Sequence, residues 1–329
     1  MTRRAIRRAL VTGATGFVGQ ALVRELVAQG VQVVAASRAP AVPGVPWVPM
    51  TLPGPIDPEA LRGVDTVFHL AGIAHAVSGG APGAEEYDRV NREGSVQVGR
   101  AANAAGVDRL VFVSSIKAVG EPGDQVVSED SKAEPTDPYG TSKRRAEEEL
   151  LDIGRSGAME VVIARPTLVY GPGVKGNLAV LASSIRRGSP PPLPVVENRR
   201  SLIGIDDLVD ALIILAEQSA APDRVFVLSD GEVYSTDRLV RALAAASGVD
   251  PKPRFRIPRR LLAMGARVGD ATERLTRRSV PLSTERLRRL LGNAEYEASA
   301  ARSLGFVPRR SFEDAAGDIV RATDEQAGR

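Results

Sequence analysis

A glycine-rich turn near the start of the chain limits what it can fold into more than any other feature. Segment 11–19 reads VTGATGFVG; it ends an apolar run, opens an amphipathic helical pattern and places glycine at positions 13, 16 and 19. A sharp reversal, a close approach to a pyrophosphate and tight helix–strand packing each exclude a Cβ at one of these positions. The N–H groups at the start of the helix would face the phosphates. The turn therefore predicts a βαβ unit that binds a dinucleotide.

Short apolar runs rich in β-branched residues alternate with helical patterns through the first half of the chain. The runs predicted as strands are Ala9–Thr12, Val31–Ala36, Thr66–Leu70, Leu110–Ser114 and Val161–Ala164. The segments predicted as helices include Phe17–Gln29, Glu85–Ala105 and Pro138–Ile153. This alternation predicts an α/β fold with a Rossmann-type doubly wound parallel sheet, covered by helices on both faces. Residues 40–58 are rich in proline and glycine, which predicts an irregular crossover around the third strand.

The second half of the chain has a less regular pattern. A proline cluster at residues 190–194 marks where the chain is expected to leave the nucleotide-binding half. The elements predicted for the second half are a strand at Val225–Leu228 and helices at Asp206–Gln218, Thr236–Ser247, Arg259–Arg278 and Ser283–Leu291. We therefore expect a nucleotide-binding domain over residues 1–165 and a smaller C-terminal α/β substrate-binding region over residues 166–329, partly interleaved with the first.

The composition argues against several classes of function. The chain has no cysteine, and its two histidines, His69 and His75, lie near no cluster of carboxylates, so we expect no metal site. His69 is expected to pack in a strand, whereas His75 is a candidate for the wall of the cofactor pocket. No apolar run is long enough for a membrane span or a signal peptide, which favours a cytoplasmic protein. The net charge of +3 comes with dispersed arginines and few aromatic residues, so we expect no nucleic-acid partner.

A serine, a tyrosine and a lysine form the candidate catalytic centre. A buried strand pattern ends in Ser114 and Ser115, and the segment PYGTSK, which contains Tyr139 and Lys143, follows it. Residues at i and i+4 share one face of a helix. A tyrosine has a pKa of about 10, too high for a base at neutral pH, and a nearby ammonium group favours its phenolate form. Ser115 would hydrogen-bond the substrate oxygen and hold it beside the phenol.

Seven segments spread over nearly the whole chain form a recognisable set. They are TGATGFVG, VDTVFHLAG, YDRVNREGS around Asn91, VFVSSIKAVGE, YGTSK, ARPTLVYGPG and RRSLIGIDDLVDAL. The set resembles the extended short-chain dehydrogenases/reductases of the NAD-dependent epimerase/dehydratase family, many of which act on nucleotide sugars. Aligned on Gly120, the resemblance implies Ser115 as the catalytic serine, Tyr139 as the acid/base and Lys143 as its partner, which also binds the nicotinamide ribose.

The resemblance also implies a set of cofactor contacts. These are Gly13, Thr15, Gly16, Phe17, Val18, Ser37, Arg38, Leu70, Ala71, Gly72, Tyr139, Lys143 and Pro166. At the end of the second strand a carboxylate would bind the ribose hydroxyls of NAD, but the chain has Ser37 and Arg38 there. An arginine can hold the 2′-phosphate of NADP, and it can also stack on the adenine of NAD. The pair favours NADP and leaves NAD open.

The form SSIKxxGE, with PPLP, RSL and VLSDG in the second half, resembles one subgroup of the family. That subgroup holds UDP-glucose 4-epimerase-like proteins and reductases of UDP-4-keto-6-deoxy-N-acetylhexosamines. The subgroup implies hydride transfer at C4 of a UDP-hexose. It leaves open whether the chain is an epimerase or a 4-ketoreductase. The Ser37–Arg38 pair slightly favours a reductase. The implied substrate contacts are Ser115, Asn177, Arg200 and Arg286. Lys117 departs from the Ser-Ala-Thr that epimerases of the family usually carry here; it is a candidate substrate contact, and the alternative is that it points into solvent from its loop. Family dehydratases carry Thr-Asp-Glu where this chain has Ser115, Ile116 and Lys117, so dehydration is not expected.

Two alternatives of different class stay open. One is an NAD(P)H-dependent reductase of an apolar, steroid-like or flavonoid-like ketone, against which Asn177 and Arg200 favour a phosphate-bearing ligand. The other is a non-catalytic cofactor-sensing protein, against which the retained Tyr139 and Lys143 argue. Relatives commonly dimerise through two helices per subunit, here segments 85–105 and 138–153, so a homodimer is expected. The apolar faces of those segments would equally suit a monomer that buries them against its sheet.

Overall fold

A computed structural model describes residues 3–40, 42–74, 82–120, 123, 125–129, 131, 133–188, 196–249, 259–276, 284, 287 and 291–327. Its main sheet contains β1 (Arg8–Thr12), β2 (Gln32–Ser37), β3 (Trp47–Pro49), β4 (Thr66–His69), β5 (Arg109–Val113), β6 (Glu160–Pro166) and β9 (Arg224–Leu228). The strand order is β3-β2-β1-β4-β5-β6-β9, and all neighbours pair in parallel. The order reverses between β1 and β4, which is the arrangement of a doubly wound Rossmann-type sheet.

Helices cover both faces of this sheet, as expected for buried parallel strands. On one face α1 (Phe17–Ala28) and α6 (Ile205–Glu217) bury Leu22, Leu26 and Leu212 against the strands. On the other face α3 (Gly94–Ala104) and α4 (Pro138–Ser156) bury residues such as Val98 and Leu150. The helix α2 (Ala84–Tyr87) leads into α3 through a π-helical segment, Asp88–Glu93. Two 3-10 turns, Pro58–Leu61 and Ile116–Val119, follow β3 and β5.

A second, smaller unit packs beside the main sheet. Its strands β7 (Leu168–Tyr170), β8 (Arg200–Gly204) and β10 (Val233–Tyr234) form a sheet in the order β10-β8-β7. Besides α6, the described residues of the second half form the helices α5 (Asn177–Arg186), α7 (Thr236–Ala246), α8 (Arg259–Thr276), α9 (Ser299–Ser303) and α10 (Phe312–Ala327). Tyr170, Tyr234 and Phe312 pack edge to face at the centre of a separate core between β7, β8, α5, α7 and α10. Because β9 returns to the main sheet after β8, the two units are interleaved.

The α/β class and the strands of the first half are confirmed, each within two residues of its predicted ends. The helical segment predicted at 85–105 is present but is π-helical at Asp88–Glu93. The sequence pattern did not predict the second sheet, because β7 and β10 are too short to show a period. Most of segment 283–291 lies outside the described residues, and the division of the chain at residue 165 stays a prediction. Within the described residues, no helix is long and apolar enough to cross a bilayer.

Candidate active site

The carboxyl ends of β1, β4, β5 and β6 meet at one edge of the main sheet, around the point where the strand order reverses. Open α/β sheets bind ligands in the crevice at such a switch point. The glycine turn follows β1, the segment 70–72 follows β4, and Ser115 follows β5 by two residues. The fold therefore brings the main sequence motifs of the first half to one edge.

Close backbone packing around the turn after β1 requires glycine at two of its positions. Gly13 has a φ of 69°, and a Cβ there would lie 2.7 Å from the backbone nitrogen of Ala71, in the loop after β4. A Cβ on Gly19 would lie 2.3 Å from the Gly13 carbonyl oxygen, since α1 packs directly on the turn. Neither site has room for a side chain.

The start of α1 fits an anionic group. Gly16 is its N-cap and supplies no capping side chain, and the first turn contains no acidic residue. The helical hydrogen bonds begin with the Gln20 N–H, which donates to the Gly16 carbonyl at 3.0 Å. The N–H groups of Phe17 and Val18, which follow Thr15 and Gly16, therefore precede the first such bond at the positive end of the helix. An unshielded helix start of this kind fits the diphosphate of a dinucleotide.

The end of β2 presents an arginine rather than a hydroxyl. The Ser37 side chain is buried, donates to the Ala39 carbonyl and accepts from the Trp47 indole N–H at 3.1 Å. Arg38 is exposed and makes no hydrogen bond or ion pair within the described part of the chain. A ligand at this strand end would therefore meet the Arg38 guanidinium, while the Ser37 hydroxyl shapes the loop.

The loop after β4 and the end of β6 line the same crevice edge. The N–H groups of Leu70 and Ala71 both donate to the Thr12 hydroxyl, each at 3.1 Å. Gly72 is exposed, and a Cβ there would lie 2.9 Å from Asn91 Oδ1 and 3.9 Å from Lys143 Nζ. Pro166 is the buried last residue of β6. The backbone of segment 70–72 is therefore held close to the helix that carries Lys143.

The two adjacent serines after β5 have different environments. Ser114 is buried, and its hydroxyl donates to the carboxylate of Glu147. Ser115 is half-buried, accepts from the Lys117 N–H at 3.2 Å and is hydrogen-bonded to the Tyr139 side chain. Because Ser115 Oγ accepts the hydrogen bond from the Lys117 N–H, its own hydroxyl hydrogen is available to donate to Tyr139. The structure therefore pairs Ser115 and not Ser114 with Tyr139.

Tyr139 and Lys143 lie one turn apart in α4, and burial perturbs both. Burial raises the pKa of Tyr139 to about 12, the Ser115 hydrogen bond opposes this rise, and the Asp137 carboxylate adds to it. Burial lowers the pKa of Lys143 to about 8, and the Glu147 carboxylate opposes that shift. Lys143 Nζ donates to the Val113 carbonyl at 2.9 Å. At neutral pH the site therefore holds a phenol that can donate a proton, with a cation close by in the same helix.

Lys117 lies against the start of α4. Its Nζ is 3.9 Å from Asp137 Oδ2, and Asp137 is the N-cap whose Oδ1 accepts from the Gly140 N–H at 2.7 Å. A Cβ on Gly140 would lie 2.3 Å from the Lys117 carbonyl oxygen, so the turn after β5 packs directly on α4. Lys117 is partly exposed, and it pairs with the carboxylate that opposes ionisation of Tyr139.

His69 belongs to a buried chain of hydrogen bonds that fixes its tautomer. Thr12 Oγ1 accepts from the two backbone N–H groups described above, so its own proton must go to His69 Nδ1, 2.6 Å away. His69 Nε2 then carries the proton and donates to Ser95 Oγ at 2.9 Å, and Ser95 donates to the Asn91 carbonyl. Burial lowers the pKa of His69 to about 3, and the Lys143 charge adds to this effect. His69 is a neutral packed histidine, as the sequence predicts.

The expected substrate contacts lie in the second half of the chain. Asn177 is exposed at the first position of α5. Arg200 is half-buried at the start of β8, and its Nη2 donates to the Gly292 carbonyl at 3.4 Å. Arg286 and His75 lie outside the described residues. The substrate-binding roles of Asn177 and Arg200 stay predictions.

Sequence reasoning missed a buried ion pair behind the serines. Arg165 Nε and Nη2 donate to Glu147, with the closest nitrogen and oxygen 2.5 Å apart, and both side chains are almost fully buried. Two features of the sequence point to such a pair. Glu147 lies four residues after Lys143 on the same helix face, and Arg165 is a charged residue in the apolar strand β6. Within the described residues, no group of three or more histidine, aspartate and glutamate side chains could hold a metal ion.

This chain is similar to known proteins in sequence and in fold. The model of the NAD dependent epimerase/dehydratase family matches residues 9–229. A UDP-glucose 4-epimerase from Vibrio cholerae is 37% identical over 265 residues, 78% of this chain and 80% of that protein. A 2-alkyl-3-oxoalkanoate reductase from Stenotrophomonas maltophilia is 31% identical over 332 residues, 93% and 96% of the two chains. The solved structure of MoeE5 in complex with UDP-glucose and NAD is 26% identical, with a TM-score of 0.73, over 97% of this chain and 99% of that one.

Proposed function

Since this chain belongs to the NAD-dependent epimerase/dehydratase family, we propose that it is an oxidoreductase or epimerase that acts at C4 of a UDP-linked hexose. The observation that carries the proposal is the hydrogen-bonded pair of Ser115 and Tyr139, with buried Lys143 one helical turn away and the glycine turn at the same edge of the sheet. The Vibrio cholerae relative and the MoeE5 complex support a UDP-sugar as the substrate class.

In this proposal Tyr139 moves the proton of the sugar O4. When bound, the nicotinamide carries the hydride to or from C4 and, in its oxidised form, adds a positive charge to the site. Burial keeps Tyr139 protonated, with a pKa of about 12, so in the reducing direction it donates its proton to O4. In the oxidising direction it must become a phenolate, which positive charge nearby, that of Lys143 included, favours. Ser115 orients the same oxygen through its hydroxyl.

Four residues are proposed to hold the substrate. Ser115 contacts the reacting oxygen, and Lys117 reaches the sugar from the turn after β5, beside Asp137. Arg200, half-buried at the start of β8, binds the diphosphate through its guanidinium group, and Asn177 contacts the nucleotide from the start of α5.

The cofactor is proposed to lie across the glycine turn, with its diphosphate at the start of α1. The uncapped N-terminus of α1 and the exposed Arg38 carry this proposal. Arg38 favours NADP, because a guanidinium can hold a 2′-phosphate in two hydrogen bonds. NAD is the alternative, in which Arg38 stacks on adenine, and NAD is the cofactor in the MoeE5 complex. A homodimer through α2–α3 and α4 remains part of the proposal.

Mass identification of nucleotides released from the purified, denatured protein tests the proposal and separates its two forms. Near-stoichiometric NAD, with or without a UDP-sugar, would identify an epimerase that retains its cofactor and would refute the preference for NADP. An empty site that binds NADPH more tightly than NADH would identify a 4-ketoreductase that exchanges its cofactor at every turnover. A protein that releases neither nucleotide and binds neither NAD(H) nor NADP(H) would overturn the proposal.

One observation favours a second candidate. The Stenotrophomonas relative, which is named as a 2-alkyl-3-oxoalkanoate reductase, matches this chain over almost its full length, including the second half that would shape a substrate pocket. A reductase of apolar ketones would need Tyr139, Ser115 and Lys143 but would have no use for a diphosphate contact at Arg200. Turnover of 2-alkyl-3-oxo acids together with failure to bind UDP would favour this candidate.

A further inference from the structure

The Glu147–Arg165 pair is buried next to the candidate catalytic centre. Glu147 is one helical turn after Lys143 in α4, and its exposed side-chain fraction is 1%, against 3% for Arg165. The Glu147 carboxylate receives Arg165 Nε at 2.9 Å, Arg165 Nη2 at 2.5 Å and the Ser114 hydroxyl. Fully buried charges persist only where such hydrogen bonds satisfy them.

These contacts join three elements of the site. Glu147 belongs to α4, Ser114 follows β5, and Arg165 is next to the end of β6. The serine that Glu147 holds is the direct neighbour of Ser115, and the helix that carries Glu147 also carries Tyr139 and Lys143. The buried carboxylate therefore fixes the strand end of Ser115 against the helix of Tyr139.

The same carboxylate supplies the negative charge that faces Lys143. Lys143 is buried, donates to the Val113 carbonyl at 2.9 Å and lies 4.3 Å from the centre of the Phe112 ring. The elements around it contribute Glu147 and Tyr139 from α4, Arg165 from β6 and neutral His69 from β4. The carbonyl and the ring stabilise a cation, and the Glu147 carboxylate, the acidic group among these side chains, also favours the charged form of Lys143.

We propose that Glu147 is a positioning residue of the active site: it holds Lys143 as an ammonium ion and, through Ser114, sets the distance between Ser115 and Tyr139. Arg165 limits this effect by neutralising part of the Glu147 charge. The catalytic role given to Glu147 rests on the proposed function, whereas the effect of Glu147 on the charge of Lys143 can be tested without it. Opposite effects are therefore expected from removing the two members of the pair.

The test is an NMR titration of 13C-labelled lysine in the full-length protein without substrate. The chain has only five lysines, so Lys143→Met identifies the Lys143 signal by its loss. Glu147→Gln is expected to lower the titration midpoint of Lys143 by at least about half a pH unit, and Arg165→Gln to raise it. The matched control is Glu148→Gln, because Glu148 is exposed and pairs with Arg144, and the Lys143 midpoint should stay unchanged in it.

Glu147→Gln leaves the Arg165 cation buried without a counter-charge and could prevent folding. The double variant Glu147→Gln/Arg165→Gln removes both charges; in it the Lys143 midpoint should lie below that of the wild-type protein. If the protein turns over UDP-hexoses and these variants leave the Lys143 midpoint where it was, the inference is wrong although the proposed function stands. If no UDP-hexose is turned over but the midpoints move as expected, the inference about Lys143 holds and the proposed function fails.

For an active protein, the pH profile of kcat gives a second readout. Loss of the ammonium at lower pH should move the alkaline limb of the profile of Glu147→Gln in the same direction as the Lys143 midpoint. A purely structural role would lower kcat at all pH values without moving either limb, and that result would also overturn the proposal.

Discussion

His69 should make the stability of this protein depend on pH between 7 and 5. Its Nδ1 accepts the Thr12 hydroxyl proton, and that hydroxyl is already committed as an acceptor to two backbone N–H groups. A second proton on the ring would place two donors against each other in a fully buried site. The pKa of His69 is lowered from 6.5 to about 3 in the folded protein, so the unfolded chain binds a proton first as the pH falls.

The expected magnitude follows from these two pKa values. Above pH 6.5 the folded and unfolded chains are both neutral at this residue, and the full stability is present. Below that pH the unfolded state gains about 1.36 kcal/mol per pH unit, so acidification to pH 5 should lower the free energy of unfolding by about 2 kcal/mol. Asp230 acts in the opposite direction, since burial raises its pKa to about 6, and it partly masks the effect in the wild-type protein.

Urea unfolding of the wild-type protein and of His69→Gln at pH 7 and pH 5 isolates the histidine. Glutamine has an acceptor and a donor for Thr12 and Ser95 but does not titrate. The change in unfolding free energy between the two pH values should differ by about 2 kcal/mol between the proteins, because the Asp230 contribution is common to both. Equal pH dependence in the two proteins would refute the assignment of a neutral, acceptor-only Nδ1.

Further expected results concern the candidate site. Ser115→Ala should lower kcat in a steady-state assay by about 10- to 100-fold, since it removes one hydrogen bond to the reacting tyrosine. Ser115→Gly, which also lacks the hydroxyl, should show the same kcat as Ser115→Ala. Arg38→Ala should weaken NADPH binding by about tenfold and leave NADH binding nearly unchanged, as fluorescence titration would show; equal losses for both would contradict a 2′-phosphate contact. Gly19→Ala should lower the free energy of unfolding by about 1–3 kcal/mol, because the new Cβ meets the carbonyl of the glycine turn. Gly83→Ala, at the N-cap of the short helix α2, has open space for its Cβ and should cost less in denaturant unfolding.

The sequence was most informative where a local pattern decides the structure. The parallel strands show as β-branched apolar runs because both of their faces are buried. The turn at Gly13 and Gly19 can be recognised in the sequence because close packing leaves room only for glycine at these positions. Tyr139 and Lys143 can be recognised because one helical turn puts them together regardless of the rest of the fold.

The remaining features depend on contacts between distant segments. The pairing of Glu147 with Arg165 joins α4 to β6, and neither residue shows its partner in the sequence. The different roles of Ser114 and Ser115 also depend on distant segments, because Ser114 meets the buried Glu147 carboxylate whereas Ser115 meets Tyr139. The Ser37 hydroxyl faces Trp47 across the crossover loop, a contact that no periodicity could predict.

The most direct test of the central claim is a single-turnover measurement with a UDP-hexose carrying deuterium at C4. The protein is mixed with the labelled sugar and oxidised cofactor, and the cofactor is then analysed by mass spectrometry. We expect one deuterium atom to reach the nicotinamide in the wild-type protein, and its rate to fall by at least about 1,000-fold in Tyr139→Phe. No transfer from any C4-labelled UDP-hexose, or transfer at an equal rate in Tyr139→Phe, would contradict the account.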